Sequence, residues 1–219
     1  MLNRPFRIKA VLFDFDGTLT KPGALNFPLL KKTIGCPEDS PVLEFIENLP
    51  TPFQRDRTFS ILERFEEKAA VSSEPNSGAQ DLIHHLRSKG LGIGIITRNT
   101  LSSVERALKN FEGIDISYFD VIISRDTPIK LKPSGDGVML AARILNVDVR
   151  QMMMVGDYVF DIQAGKKAGC ITVFLDYGTG SGTAKIESDV VVSSLKEIKH
   201  IVRLGLPLLS GKLPNDLLS

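Results

Sequence analysis

The chain has little of what would recruit a soft metal, a nucleic acid or a membrane. Its 219 residues include only two cysteines, Cys36 and Cys170, far apart and without C-x-x-C spacing. They read as reduced, structural thiols of a cytoplasmic protein, not as a disulfide framework. The three histidines, His84, His85 and His200, offer no zinc constellation. Lysine and arginine (27) almost cancel aspartate and glutamate (26), leaving a net charge of +1. No field of one sign exists to attract nucleic acid or an anionic membrane surface. No apolar run approaches the ~18 residues of a membrane helix. The basic N-terminus is followed by an apolar stretch, but Asp14 interrupts it too early for a secretory signal. An apolar content of 42% and a charged content of 24% belong to an ordinary globular protein. The length suggests one or two domains. The oligomeric state stays open.

Against that background one stretch stands out: Val11-Leu12-Phe13-Asp14-Phe15-Asp16-Gly17-Thr18-Leu19-Thr20. The apolar run before it fits a strand buried on both faces. Asp14 and Asp16 are two residues apart, so an extended backbone projects both carboxylates from one face. Burying two such groups side by side is costly unless something compensates. A hard divalent cation with a preference for oxygen ligands would do so, as would a proton shared during chemistry.

Residues 21–77 contain no convincing strand. Prolines divide them into short helical pieces, of which 57–71, with Phe59, Leu62, Phe65 and Ala69 on one stripe, is the clearest. They read as a small helical insert after the first strand. From residue 78 the pattern becomes regular. Helices over 78–89, 101–111, 135–146 and 160–168 alternate with strands over 91–97, 119–124, 152–156 and 171–175. A short strand at 189–192 and a helix from Ser194 follow. Ser102-x-x-Glu105 resembles a capping box. The Gly178–Lys185 stretch lacks the spacing of a phosphate-cradling loop and reads as a surface loop. Such alternation predicts an α/β fold, a doubly wound parallel sheet covered on both faces. The expected division is a core of 1–20 and 78–203, a helical insert of 21–77 and a tail of 204–219.

In such sheets ligands bind beyond the carboxyl ends of the strands. The first strand ends in Asp14 and Asp16. The second ends in Thr97, followed by Arg98 and Asn99. The fourth ends in Gly156-Asp157, with Asp161 four residues on, and Lys132 lies in the loop before it. Each has an ordinary explanation alone; their joint appearance at one edge does not.

Together, Asp14-Phe15-Asp16-Gly17-Thr18, Thr97, Lys132 and Gly156-Asp157-x-x-x-Asp161 resemble the four ordered motifs of the haloacid dehalogenase (HAD) superfamily. The match runs over residues 8–176. The insert is similar to the helical cap of the phosphoglycolate-phosphatase-like branch. The lysine motif departs from the usual pattern by continuing Pro133-Ser134-Gly135-Asp136. The resemblance implies a Rossmann-like core and hydrolysis of a small phosphorylated metabolite. It also implies that Asp14 attacks phosphorus to form an aspartyl-phosphate, while Asp16 acts as acid and then base. Thr97 and Lys132 would hold the phosphoryl oxygens, with Arg98 and Asn99 beside them. Mg²⁺ would take Asp14, the Asp16 backbone carbonyl and Asp157, with Asp161 orienting Asp157 or a bound water. Asp16 argues against a dehalogenase, which needs no proton donor. A phosphomutase shares these motifs. A phospho-accepting signalling module would carry its acceptor after the third strand, where Ser124-Arg125-Asp126 stands here. A catalytically dead binding protein would not need the complete set.

Overall fold

A strand such as β1 (Ala10–Phe13) presents apolar side chains to both sides, so each face of its sheet must be covered. The computed structural model, which describes residues 7–178 and 182–204, shows how. Six parallel strands form one sheet in the order β3-β2-β1-β4-β5-β6. The others are β2 (Gly92–Ile96), β3 (Val121–Ile123), β4 (Met152–Gly156), β5 (Ile171–Leu175) and β6 (Val190–Val192). Val11 and Phe13 join one apolar cluster with α4 (Ala79–Ser88), α5 (Leu101–Leu108) and α9 (Leu195–Leu204). Ala10 and Leu12 join the other, under α6 (Asp136–Leu145). Helix α7 (Val159–Ala168) lies on this second face, where a methyl on Gly165 would meet Met154 and Thr172. This is the expected doubly wound α/β sheet, and its strand order reverses between β1 and β4.

The sheet is tightest at Gly94. A β-carbon there would stand 2.6 Å from Val121 Cγ1 and 2.7 Å from Leu12 Cδ2. Gly94→Ala is therefore expected to lose about 1–3 kcal/mol to overpacking. Urea unfolding followed by circular dichroism measures it; an unchanged midpoint would show that the strands can part freely.

Between β1 and α4 the chain makes three further helices, α1 (Phe27–Ile34), α2 (Val42–Glu47) and α3 (Pro52–Ser72). Leu30, Val42, Leu43, Ile46 and Leu62 form a cluster of their own, against which Leu131 of the core packs. The two connections run side by side: Thr20 bridges Pro75, and the Asn76 amide donates to the Leu19 carbonyl at 2.8 Å. Helix α3 lies along α5, and Asn110 Nδ2 donates to the carbonyls of Ala70 (3.1 Å) and Ser73 (2.9 Å) at its end.

Three local expectations are corrected. Helix α3 starts at Pro52, five residues before the expected 57. Proline breaks a helix interior but suits its first turn, and Thr51 caps it by accepting from the Gln54 amide. Helix α5 is capped by Thr100, which accepts from the Ser103 amide, so Ser102 is already inside the first turn. The Gly178–Lys185 stretch is not all loop: α8 (Gly182–Glu187) forms because Ala184 is buried with Ile162 and Phe174. Residues 179–181 and the tail beyond 204 lie outside the described residues. Among the described residues no helix is long and apolar enough to cross a membrane.

Candidate active site

The register of the sheet builds the site. Phe13 pairs with Val155, and the Asp14 amide continues the ladder by donating to the Val155 carbonyl at 2.9 Å. Asp14 and Asp157 thus leave adjacent strands at the point where strand order reverses. After Asp14 the backbone turns through Asp16 and Gly17, the latter at φ +76°. That conformation suits glycine. Space demands glycine as well, since a β-carbon on residue 17 would lie 2.2 Å from Asp157 Oδ2. Gly156 is constrained in the same way: its β-carbon would stand 2.3 Å from the Asp161 carboxyl. Thr18 Oγ1 reaches Asp157 Oδ1 at 3.3 Å.

The buried Lys132 ammonium lies between two carboxylates, donating to Asp14 Oδ1 at 2.5 Å and Asp161 Oδ1 at 2.6 Å. Asp161 also accepts from the Tyr158 amide at the start of α7, at 3.0 Å. Thr97 is buried, and its hydroxyl oxygen accepts from the Asn99 amide. The hydroxyl proton is left to donate into the cavity. Asp14, Asp16, Thr97, Arg98, Asn99, Lys132, Asp157 and Asp161 all line one cavity of about 390 Å³. Eight positions from four separate stretches of sequence therefore meet at one place.

Known proteins resemble this chain in sequence and in fold. Residues 11–175 match the family model for haloacid dehalogenase-like hydrolases. The chain belongs to that family. It is 34% identical to an uncharacterized hydrolase of Saccharomyces cerevisiae, covering 90% of both chains. It is 33% identical to phosphoglycolate phosphatase of Escherichia coli, covering 94% of this chain and 96% of that one. A crystallised hydrolase from Pseudomonas syringae shares the fold, with a TM-score of 0.77 at 19% identity over 90% of this chain and all of that one.

Within this HAD-like fold the carboxylates are electrostatically stressed. One oxygen from each of Asp14, Asp157 and Asp161 lies within 4.8 Å of the others. Burial, and then the charge of Asp14, push the Asp157 and Asp161 carboxyls well above the usual range. Burial and Asp14 likewise push Asp16 up to about 6, against the pull of its hydrogen bond from Asn99. Burial works against the Lys132 charge, but Asp14 and Asp161 outweigh it and hold the ammonium above its ordinary range. An all-oxygen cluster that resists ionising together is one that a hard divalent cation would relieve, so the donor set fits Mg²⁺. The Asp16 side chain stands apart from that triangle, on Asn99 Nδ2 at 2.7 Å.

Arg98, by its place after β2, is expected to face substrate. It lines the cavity, and its guanidinium is held by Glu44 of α2, with Nη2 at 2.8 and 2.7 Å from the two carboxylate oxygens, and covers the Phe160 ring at 5.0 Å. Sequence patterns do not single out Glu44 itself, buried Glu66, or Arg125, which holds Glu66 by two bonds of 2.7 and 2.8 Å. Nor do they mark Tyr177, whose hydroxyl donates to the Gly17 carbonyl at 2.5 Å, or Asn76, which donates to the Thr18 carbonyl at 2.8 Å. Acidic residues on an insert helix and a tyrosine after a strand carry no spacing signal by which to find them.

Proposed function

We propose that this HAD-like hydrolase is a Mg²⁺-dependent phosphatase that cleaves a small phosphate monoester through an aspartyl-phosphate on Asp14. The observation that supports it most is the Lys132 ammonium between Asp14 and Asp161, lining a cavity that Asp16 and Thr97 also line. The name of the Escherichia coli relative points the same way.

A phosphate monoester is anionic and repels nucleophiles, so catalysis is mostly positioning and charge neutralisation. The Asp14 carboxylate is fixed by Lys132 and aimed from the end of β1. Its free oxygen attacks phosphorus, and the bond from phosphorus to the leaving oxygen breaks. Thr97 donates to one phosphoryl oxygen and Lys132 offsets the charge of another. Asp16, held at 2.7 Å by Asn99, gives its proton to the leaving oxygen. Burial, and then the charge of Asp14, favour the protonated form that this step needs. In the second half it takes a proton from the water that attacks the phosphoryl group and releases Asp14. Asp14, the Asp16 carbonyl and Asp157 would hold Mg²⁺, with Asp161 orienting the set, and the ion when bound neutralises phosphoryl charge. Residues 21–77 serve as a cap over the leaving group.

The test is hydrolysis of an aryl phosphate by protein dialysed against EDTA. Phosphate release should vanish and return on adding Mg²⁺. Full activity in the chelator would sink the metal requirement. Release that never appears, with any of a panel of phosphorylated metabolites, would sink the phosphatase.

A further inference from the structure

Besides the carboxylates, the cavity has an apolar part. Its lining there is Leu25, Phe27, Val42, Leu43, Leu62 and Phe160. Of the charges that border it, Arg98 and Glu66 are paired with opposite charges, and Lys31 is held by a neutral backbone carbonyl. Glu44 occupies Arg98. Arg125 occupies Glu66. The Lys31 ammonium donates to the Glu38 carbonyl at 2.5 Å. A volume of about 390 Å³ suits a small ligand.

We infer that the leaving-group end of this cavity takes the uncharged, apolar alcohol portion of a small monoester and rejects one bearing a second anion, and that Glu44 sets this preference by occupying Arg98. The inference rests on the phosphatase reading above. A carboxylate entering this end gives up part of its hydration against apolar side chains, with the Arg98 guanidinium already bound by both oxygens of Glu44. An apolar group entering it is removed from water against Phe27, Leu43 and Leu62, which favours binding. The discrimination therefore opposes what the name of the Escherichia coli relative suggests.

Full-length protein with Mg²⁺ is assayed on benzyl phosphate and 2-phosphoglycolate. Both are esters of alkyl alcohols, so the difference between them falls largely on the pocket. The kcat/KM for benzyl phosphate should exceed that for 2-phosphoglycolate by about tenfold or more, the cost of leaving a buried charge without its partner. Glu44→Gln frees Arg98 and should raise the 2-phosphoglycolate to benzyl phosphate ratio about tenfold, chiefly through KM. Phe27 is 48% exposed, so Phe27→Ala should fold. It should weaken benzyl phosphate alone. Equal or better turnover of 2-phosphoglycolate by the parent overturns the inference and leaves the phosphatase standing. A ratio unmoved by Glu44→Gln overturns the part given to Glu44. Failure to cleave either ester, or an aryl phosphate, removes the phosphatase reading and this inference with it.

Discussion

Asp14→Asn is expected to abolish turnover by roughly 10⁴-fold or more, as loss of a nucleophile does, while Asp16→Asn should spare part of the first chemical step. The two acids are two residues apart but differently held. Lys132 grips Asp14 and Asn99 grips Asp16. Asparagine matches aspartate in shape, and Lys132 keeps Asp161 as a partner in the Asp14 variant. With a nitrophenyl phosphate the leaving group departs without a proton, so the Asp16→Asn protein should still transfer phosphate to Asp14. Hydrolysis of that intermediate needs water deprotonated and should slow by roughly 10²–10⁴-fold. A burst of nitrophenol should appear, and acid-quenched mass spectrometry should find phosphate on Asp14. A phosphate trapped elsewhere, or trapped equally well in Asp14→Asn, would overturn the assignment.

Lys132→Met should damage both folding and catalysis. The Lys132 side chain is 4% exposed and the Asp161 side chain 2%, so solvent does little to screen their pairing. Removing the ammonium leaves Asp14 and Asp161 without their common partner, beside Asp157. Breaking a buried ion pair costs about 3–5 kcal/mol. In EDTA the variant should unfold at a markedly lower denaturant concentration than the parent. A cation bound by the same carboxylates stabilises the folded state by mass action, so Mg²⁺ should shift the variant's midpoint more than the parent's. Turnover should drop by roughly 10²–10³, the usual cost of losing one preorganised electrostatic partner. A variant as stable as the parent in EDTA, or within tenfold of it in turnover, would refute the role given to Lys132.

Much of this architecture is legible in the sequence, and the reasons are local. The strands of the sheet announce themselves as short apolar runs because both of their faces are buried, and the helices as periodic stripes because one face is. Glycines at 156 and 17 mark the places where backbone must pass close to Asp161 and Asp157. Sequence and structure part where two local rules compete. Pro52 could break or begin a helix, and the Thr51–Gln54 capping bonds settle it as a beginning. Thr100 and Ser102 could each cap α5, and the loop after β2 delivers Thr100 first.

The sequence by itself determined the class of fold, the family and the eight positions to read together, because each strand end and the residues just beyond it form a pattern a few residues long, and ligands in such sheets bind beyond the carboxyl ends of the strands; strand order and register came from the structure. Tertiary structure alone decided which charges remain free. Arg98 looks like an anion-binding residue in sequence, and only the packing of α2 over the sheet brings Glu44, 54 positions away, onto its guanidinium. Glu66 is buried 59 positions from Arg125, and no spacing encodes that pairing. Long-range ion pairs depend on where two rigid elements meet in space. The chemistry at the end of β1 is therefore written along the chain, whereas the character of the wall facing the leaving group emerges only when the insert folds down upon it.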